Sequence, residues 1–128
     1  MNIFDIFRVK KKIPAPWSKY YTDDELDINI PNISLYKQLL NTKEKYPNNI
    51  AYRYFGKDVS YEKFISQIDK AAIAFKNLKV KKGDVVTICL PNLPEVIISF
   101  YALNKIGAIA NMVHPLSAEE EIKESTAS

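Results

Sequence analysis

Two hydrophobic periods alternate along the chain. Tyr61, Phe64, Ile65, Ile68, Ala71, Ala72, Phe75 and Leu78 hold the three-and-four spacing of one helix face, and Ser60 is placed to cap it. Leu35, Leu39 and Leu40 share a face of an earlier helix, capped by Ser34 and stopped near residue 46 by Tyr46-Pro47-Asn48-Asn49. Ile50 to Phe55 alternates instead, and Gly56-Lys57 turns it into Asp58-Val59-Ser60, which predicts a β-hairpin. After the turn at Lys82-Gly83-Asp84, Val85 to Leu90 is apolar almost throughout, as expected of a strand covered on both faces. Pro94 suits the first turn of a helix over 95–106, which is apolar on most sides and therefore expected to be largely buried. Gly107 suits its left-handed closure, and Ala108 to Val113 is a second apolar strand. Residues 85–113 thus form a strand–helix–strand unit with a parallel sheet and a right-handed connection, so the fold class is α/β. Ser117-Ala118-Glu119-Glu120 reads as a capping box that opens a last helix. The chain then ends at Ser128, where a doubly wound pattern calls for another strand.

The first 33 residues differ in kind. Ile3, Phe4 and Phe7 fall on one side of a short helix that precedes Lys10-Lys11-Lys12. That arrangement suits an arm packed on its own protein, with a membrane-surface anchor as the alternative. Pro14, Pro16 and Pro31 and the acidic run Asp23-Asp24-Glu25 predict an extended leader over residues 13–32, pinned by Trp17, Tyr20 and Tyr21. The domain division is therefore an arm and leader at 1–33 and a folded part at 34–128.

Composition narrows the function. With 47% hydrophobic and 26% charged residues the chain is an ordinary folded protein that buries a core. The net charge of +3 is small and spread along the chain apart from Lys10–Lys12, which gives no support to nucleic-acid binding. The apolar opening falls far short of the roughly 20 residues that span a bilayer, and no secretory signal is evident. A lone Cys89 excludes an internal disulfide framework and a thiolate zinc site, and it fits a reducing cytoplasm. The glycines at 56, 83 and 107 are too scattered to form a phosphate-cradling loop.

Candidate chemistry is sparse. His114 is the one imidazole and follows a parallel strand's carboxyl end, the edge at which open α/β sheets bind ligands. No serine, cysteine or carboxylate pair near it completes a nucleophile–base arrangement, so it reads as a surface or hydrogen-bonded structural residue. Cys89 falls inside an apolar strand and reads as inert packing. Glu119, Glu120 and Glu121 are explained by the helix dipole of a solvated first turn. Pro91-Asn92-Leu93-Pro94-Glu95 is punctuation between strand and helix, since Glu95 would repel a phosphate there. No residue is assigned a catalytic, cofactor-binding or metal role.

The order of these signals resembles a known family. Ser60-Tyr61-Glu62-Lys63-Phe64, Lys82-Gly83-Asp84-Val85-Val86, Leu90-Pro91-Asn92-Leu93-Pro94-Glu95, Asn104-Lys105-Ile106-Gly107-Ala108 and Pro115-Leu116-Ser117 with Glu121-Ile122 are similar to the amino-terminal part of AMP-forming acyl-CoA synthetases. These are members of the adenylate-forming ligase superfamily, and the likeness covers residues 34–128. Pro16-Trp17 with Tyr20 or Tyr21 resembles the leader of many fatty acyl-CoA ligases, which favours that branch.

The resemblance implies the incomplete amino-terminal part of the large domain of a longer parent. That parent would adenylate a carboxylic acid, here a fatty acid, using ATP and magnesium, and would pass the acyl group to coenzyme A. The family's phosphate loop, ribose-binding aspartate, hinge and adenylation lysine would all follow Ser128, so none is carried over to a residue here. The chain alone is then expected to be inactive and, with an unfinished sheet, to self-associate. A freestanding noncatalytic α/β binding module, with a small cleft near His114, is the alternative.

Overall fold

The computed structural model describes residues 16–22, 25, 31–117 and 119–126. Contacts divide the chain into two units, Met1–Asn32 and Ile33–Ser128. The helix expected over residues 1–12, Lys10–Lys12 included, and the acids Asp23 and Asp24 lie outside the described residues.

In the first unit the leader is less extended than its prolines suggest. Ser18–Tyr20 is a 3-10 turn, closed by the Tyr20 N–H on the Trp17 carbonyl at 3.0 Å. The Thr22 N–H and hydroxyl both donate to the Glu25 carboxylate, at 2.8 and 3.0 Å, and the backbone donor holds that carboxyl below its ordinary pKa. Trp17, Tyr20 and Tyr21 are exposed, so the pinning expected of them has no counterpart among the described residues of this unit.

The second unit begins with α1 (Leu35–Lys45), the hairpin β1 (Ile50–Tyr54) and β2 (Lys57–Ser60), and α2 (Tyr61–Asn77). It continues through β3 (Val85–Cys89), α3 (Pro94–Ile106), β4 (Ile109–Val113) and α4 (Glu119–Thr126). Both serine caps form as their spacing predicts: the Ser34 hydroxyl accepts the Lys37 N–H at 3.2 Å, and the Ser60 hydroxyl accepts the Lys63 N–H at 3.3 Å. Two further free N–H groups at the start of α2 are taken by the loop between α1 and β1, Tyr61 donating to Asn49 and Glu62 to Pro47, each at 3.0 Å.

The hairpin turn sits one position earlier than expected. Phe55 and Gly56 carry positive φ of 45° and 74°, the pattern of a tight two-residue turn, and Lys57 already belongs to β2. A bulky first residue runs against turn preference, which is why the sequence pointed to Gly56-Lys57 instead. The Arg53 guanidinium grips the Asp58 carboxylate through Nε and Nη2 across the hairpin and lowers the pKa of that carboxyl. Because the folded pKa is depressed, this contribution is present at neutral pH and is lost as pH falls into the carboxylate range.

The main core joins Tyr36 of α1, Val59 of β2, Phe64, Ile65, Ile68 and Ala72 of α2, and Ala102 of α3. Edge-to-face rings link its layers, Tyr52 to Phe64 at 5.3 Å and Phe64 to Tyr101 at 5.9 Å. A polar clasp crosses three helices. The Tyr36 hydroxyl donates to Asp69 at 2.8 Å, Lys105 donates to the same carboxylate oxygen at 2.7 Å, and the Tyr36 N–H donates to the Asn104 side chain at 2.9 Å.

β3 and β4 pair in parallel, Val85 with Ile109 through Cys89 with Val113, as the strand–helix–strand reading requires. Their burial departs from that reading. Ile88 is buried, but Val85 and Ile109 are 51% and 55% exposed, and Cys89 is exposed rather than packed inside. Successive side chains point to opposite faces, so the face carrying Val85, Thr87 and Cys89 lacks the cover expected for an all-apolar strand. Likewise α3 is mostly half-buried, with only Ala102 and Leu103 fully enclosed.

Pro94 opens α3, and Gly107 closes it at φ 85°. A β-carbon on Gly107 would stand 3.1 Å from Cγ of Lys82. Gly107→Ala therefore forces both a left-handed alanine and a shifted lysine stem. It should cost about 1–2 kcal/mol, read from urea midpoints, and an unchanged midpoint would refute this account of the turn.

α4 starts at Glu119, with Glu119 and Lys123 paired at 2.6 Å one turn apart. The expected capping box runs through Ala118, which is outside the described residues, and Glu119 and Glu120 are exposed as a solvated first turn requires.

Candidate functional site

The carboxyl ends of β3 and β4 open side by side, and the loops that leave them enclose a cavity of about 450 Å³. Leu90, Pro91 and Asn92 line it from the β3 side, and His114, Pro115 and Leu116 from the β4 side. The structure thus brings together two stretches the sequence singled out separately, the Pro91–Glu95 connection and His114. Parallel pairing is the cause, since it puts both strand ends at one edge.

The His114 ring is fixed within its own turn. Its Nδ1 accepts the Leu116 N–H at 3.2 Å, and the Ser117 N–H donates to the His114 carbonyl at 3.1 Å. With Nδ1 accepting, the neutral ring carries its proton on Nε2 and offers a donor there. The Asn92 amide adds a donor and an acceptor to an otherwise apolar lining. None of the lining residues is a carboxylate, lysine, serine or cysteine, so the cavity can bind a small ligand but contains no nucleophile–base pair.

A second cavity, about 260 Å³, lies between the hairpin and the start of α3, lined by Tyr52, Arg53, Tyr54, Leu93, Pro94 and Ile97 among others. It is not legible in the sequence, because nothing local places β1 against the start of α3. The acidic Glu95 in the first turn of α3, next to a proline that has no N–H, makes that helix start a poor anion site, as its sequence suggested.

Among the described residues no group of three or more His, Cys, Asp or Glu side chains could hold a metal ion. Neither cavity presents the cluster of cations that a triphosphate demands. The donor set therefore does not fit magnesium–ATP, and no chemical step through it is assigned to these residues.

Residues 39–127 match the family profile described as AMP-binding enzyme. The chain belongs to that family. A long-chain-fatty-acid–CoA ligase of Bacillus subtilis is similar to it, 28% identical over 109 residues that cover 84% of this chain and 20% of the relative. An acetyl-coenzyme A synthetase of Methanothrix thermoacetophila is 32% identical over an alignment of 128 residues, covering 88% of this chain and 19% of the relative. Among solved structures, the amino-terminal subdomain of Klebsiella oxytoca NpsA in complex with anthranilyl-AMSN superposes with a TM-score of 0.71 at 26% identity, over 73% of this chain and 24% of that one. A Mycobacterium tuberculosis fatty acyl CoA synthetase shares the fold, with a TM-score of 0.67 at 24% identity over 70% of this chain and 18% of that one. The chain thus spans about a fifth of the length of these curated relatives. The hairpin and the parallel strand–helix–strand unit match part of the α/β architecture of an adenylation enzyme's amino-terminal subdomain. Among the described residues no helix is long and apolar enough to cross a membrane.

Proposed function

We propose that this chain is the amino-terminal, architectural portion of an AMP-forming acyl-CoA ligase. In the whole enzyme, a carboxylate oxygen attacks the α-phosphorus of ATP and expels pyrophosphate. The thiol of coenzyme A then displaces AMP from the acyl carbon. The observation that carries this reading is the profile match over residues 39–127, together with the superposition on an adenylation subdomain. A fatty acid is the favoured carboxylate, supported by the Bacillus subtilis relative and by Pro16-Trp17 in the leader. ATP, magnesium and coenzyme A are then the whole enzyme's co-substrates and metal, and the cytoplasm is its compartment.

The division into a leader at 1–33 and a scaffold at 34–128 belongs to the same proposal, and the scaffold contributes packing instead of reacting groups. The Tyr36–Asp69–Lys105 clasp fixes α1, α2 and α3 against one another, and the paired strands hold their carboxyl ends level for whatever adjoins them.

The test is carboxylate-dependent exchange of pyrophosphate into ATP. The 128-residue chain should give none above buffer, whereas the whole enzyme of this proposal should exchange with a fatty acid and, in the presence of coenzyme A, form acyl-CoA. Exchange by the short chain would sink the architectural reading. The exposed Val85 and Ile109 also predict that the short chain self-associates. Gel filtration should show larger species that Val85→Lys reduces, and a strictly monomeric elution at high concentration would argue otherwise.

One observation favours a second reading, a freestanding binding module: the cavity beside His114, whose Nδ1 is taken up by the Leu116 N–H. Calorimetry with an adenine nucleotide or an acyl ligand distinguishes it, since the architectural reading expects no heat of binding.

A further inference from the structure

A third cavity, about 260 Å³, is enclosed by the hairpin, α2 and the start of α3. Lys57 of β2, Lys63 of α2 and Glu95 of α3 all line it. Among the described residues none of these three side chains takes part in a hydrogen bond or an ion pair. Asp58, the other acid in the lining, is held through both carboxylate oxygens by the Arg53 guanidinium, which already balances its charge. Two cations and one anion are therefore left uncompensated around one small space.

Local structure does not account for all of them. The helix dipole favours Glu95 in the first turn of α3, but it disfavours Lys63 in the first turn of α2. The same lining also supplies a neutral donor. The Tyr52 hydroxyl donates to Oε1 of Gln67 at 3.0 Å, which leaves the amide N–H groups of Gln67 for another acceptor. Tyr54, Pro94 and Ile98 make up an apolar wall.

We propose that this cavity binds a free α-amino acid with an apolar side chain. The ligand carboxylate meets Lys57, Lys63 and the Gln67 amide, its α-ammonium meets Glu95, and its side chain lies on Tyr54, Pro94 and Ile98. A plain anion, whether phosphate or a simple carboxylate, gains the lysines but is opposed by Glu95. A plain cation gains Glu95 and is opposed by two lysines. A zwitterion uses all three charges, and the unfavourable contact rejects ligands that carry one sign alone. The volume lies below the roughly 300–1,000 Å³ of sites for drug-sized ligands, which suits one amino acid and excludes a nucleotide. The inference goes beyond the acyl-CoA ligase reading and does not depend on it, since no lining residue is shared with the cavity beside His114.

The test is calorimetric titration of the whole chain with three ligands that share one side chain. L-leucine carries both charges, isocaproate lacks the ammonium, and L-leucinamide lacks the carboxylate. Leucine should give a saturable heat, and each analogue should bind about tenfold more weakly. Glu95→Gln should weaken leucine by about the same factor and strengthen isocaproate. Lys63→Gln and Lys57→Gln should each weaken leucine and isocaproate and spare leucinamide. These opposed movements separate loss of a charge from loss of the fold, which would weaken all three ligands together.

Three results would overturn the proposal. One is no saturable heat with leucine, another is isocaproate or inorganic phosphate binding as tightly as leucine, and the third is leucine binding indifferent to Glu95→Gln.

Discussion

Ile68→Ala should lower the unfolding free energy by about 3 kcal/mol, within the range for truncating a fully enclosed aliphatic side chain. Ile68 has no exposed surface and lies in the cluster that also contains Tyr36, Phe64 and Ala102, so its removal leaves a void shared by α1, α2 and α3. Because the walls come from three helices whose mutual positions are also fixed by the polar clasp, they have little freedom to close in. A small domain has about 5–15 kcal/mol in hand, so this one change should move the urea midpoint a long way. Ile73→Ala on the same helix is the control, expected within about 0.5 kcal/mol of the parent because the side chain is mostly in water. Equal losses at the two positions would mean that α2 does not present the face described.

The contrast between Ile68 and Ile73 shows how far the sequence could be read. The three-and-four spacing included Phe64, Ile65, Ile68 and Ala72 and left Ile73 off the stripe, and the burial of α2 follows that division except at Leu78, the last residue of the stripe, which lies past the end of the helix at its C-cap and is 74% exposed. Ser34, Ser60, Pro94 and Gly107 were legible for a related reason: each acts on backbone groups within a few residues, so its neighbours suffice to define its role.

The strands were harder. Val85, Cys89 and Ile109 read as interior because an unbroken apolar run says nothing about whether a layer is present on both sides, and here the face bearing Val85 and Cys89 has no such cover. The hairpin tip failed through local chemistry, with Phe55 adopting a conformation that its neighbour Gly56 accepts more easily.

At the candidate site the sequence supplied His114 and the Pro91–Glu95 connection and placed them at a strand's carboxyl end. It could not show that Asn92 and Leu116 would close a cavity with them, because that requires two loops more than twenty positions apart to meet. The clasp was invisible for the same reason. Asp69 is 33 positions from Tyr36 and 36 from Lys105, and no motif joins them.

That clasp carries the second large effect. Asp69→Ala removes the acceptor of the Tyr36 hydroxyl and the counter-ion of Lys105, whose ammonium also lies 4.8 Å from the Tyr36 ring centre. The Lys105–Asp69 pair is one-third to two-fifths exposed, so its Coulomb part is small. The main loss is a hydrogen bond from a nearly buried phenol to a charged acceptor, which sets the cost at about 2 kcal/mol. Asp69→Asn keeps an acceptor oxygen and should lose about half as much.

The two variants also differ from the parent at high pH. Burial disfavours the Tyr36 phenolate and raises its pKa above the ordinary 10.0. Burial alone would lower the pKa of Lys105, but its hydrogen bonds to Asp69 and Tyr36 outweigh this and hold it above the ordinary 10.5. Both folded pKa values lie above the unfolded ones, so the clasp's contribution is complete below pH 10.0 and declines as pH rises through the raised values. In alkaline titrations followed by circular dichroism, the parent should lose stability steeply above that point. Asp69→Asn should show a shallower decline, because Lys105 has lost the partner that held its proton. Matching alkaline limbs in the parent and Asp69→Asn would mean that the carboxylate does not govern the clasp.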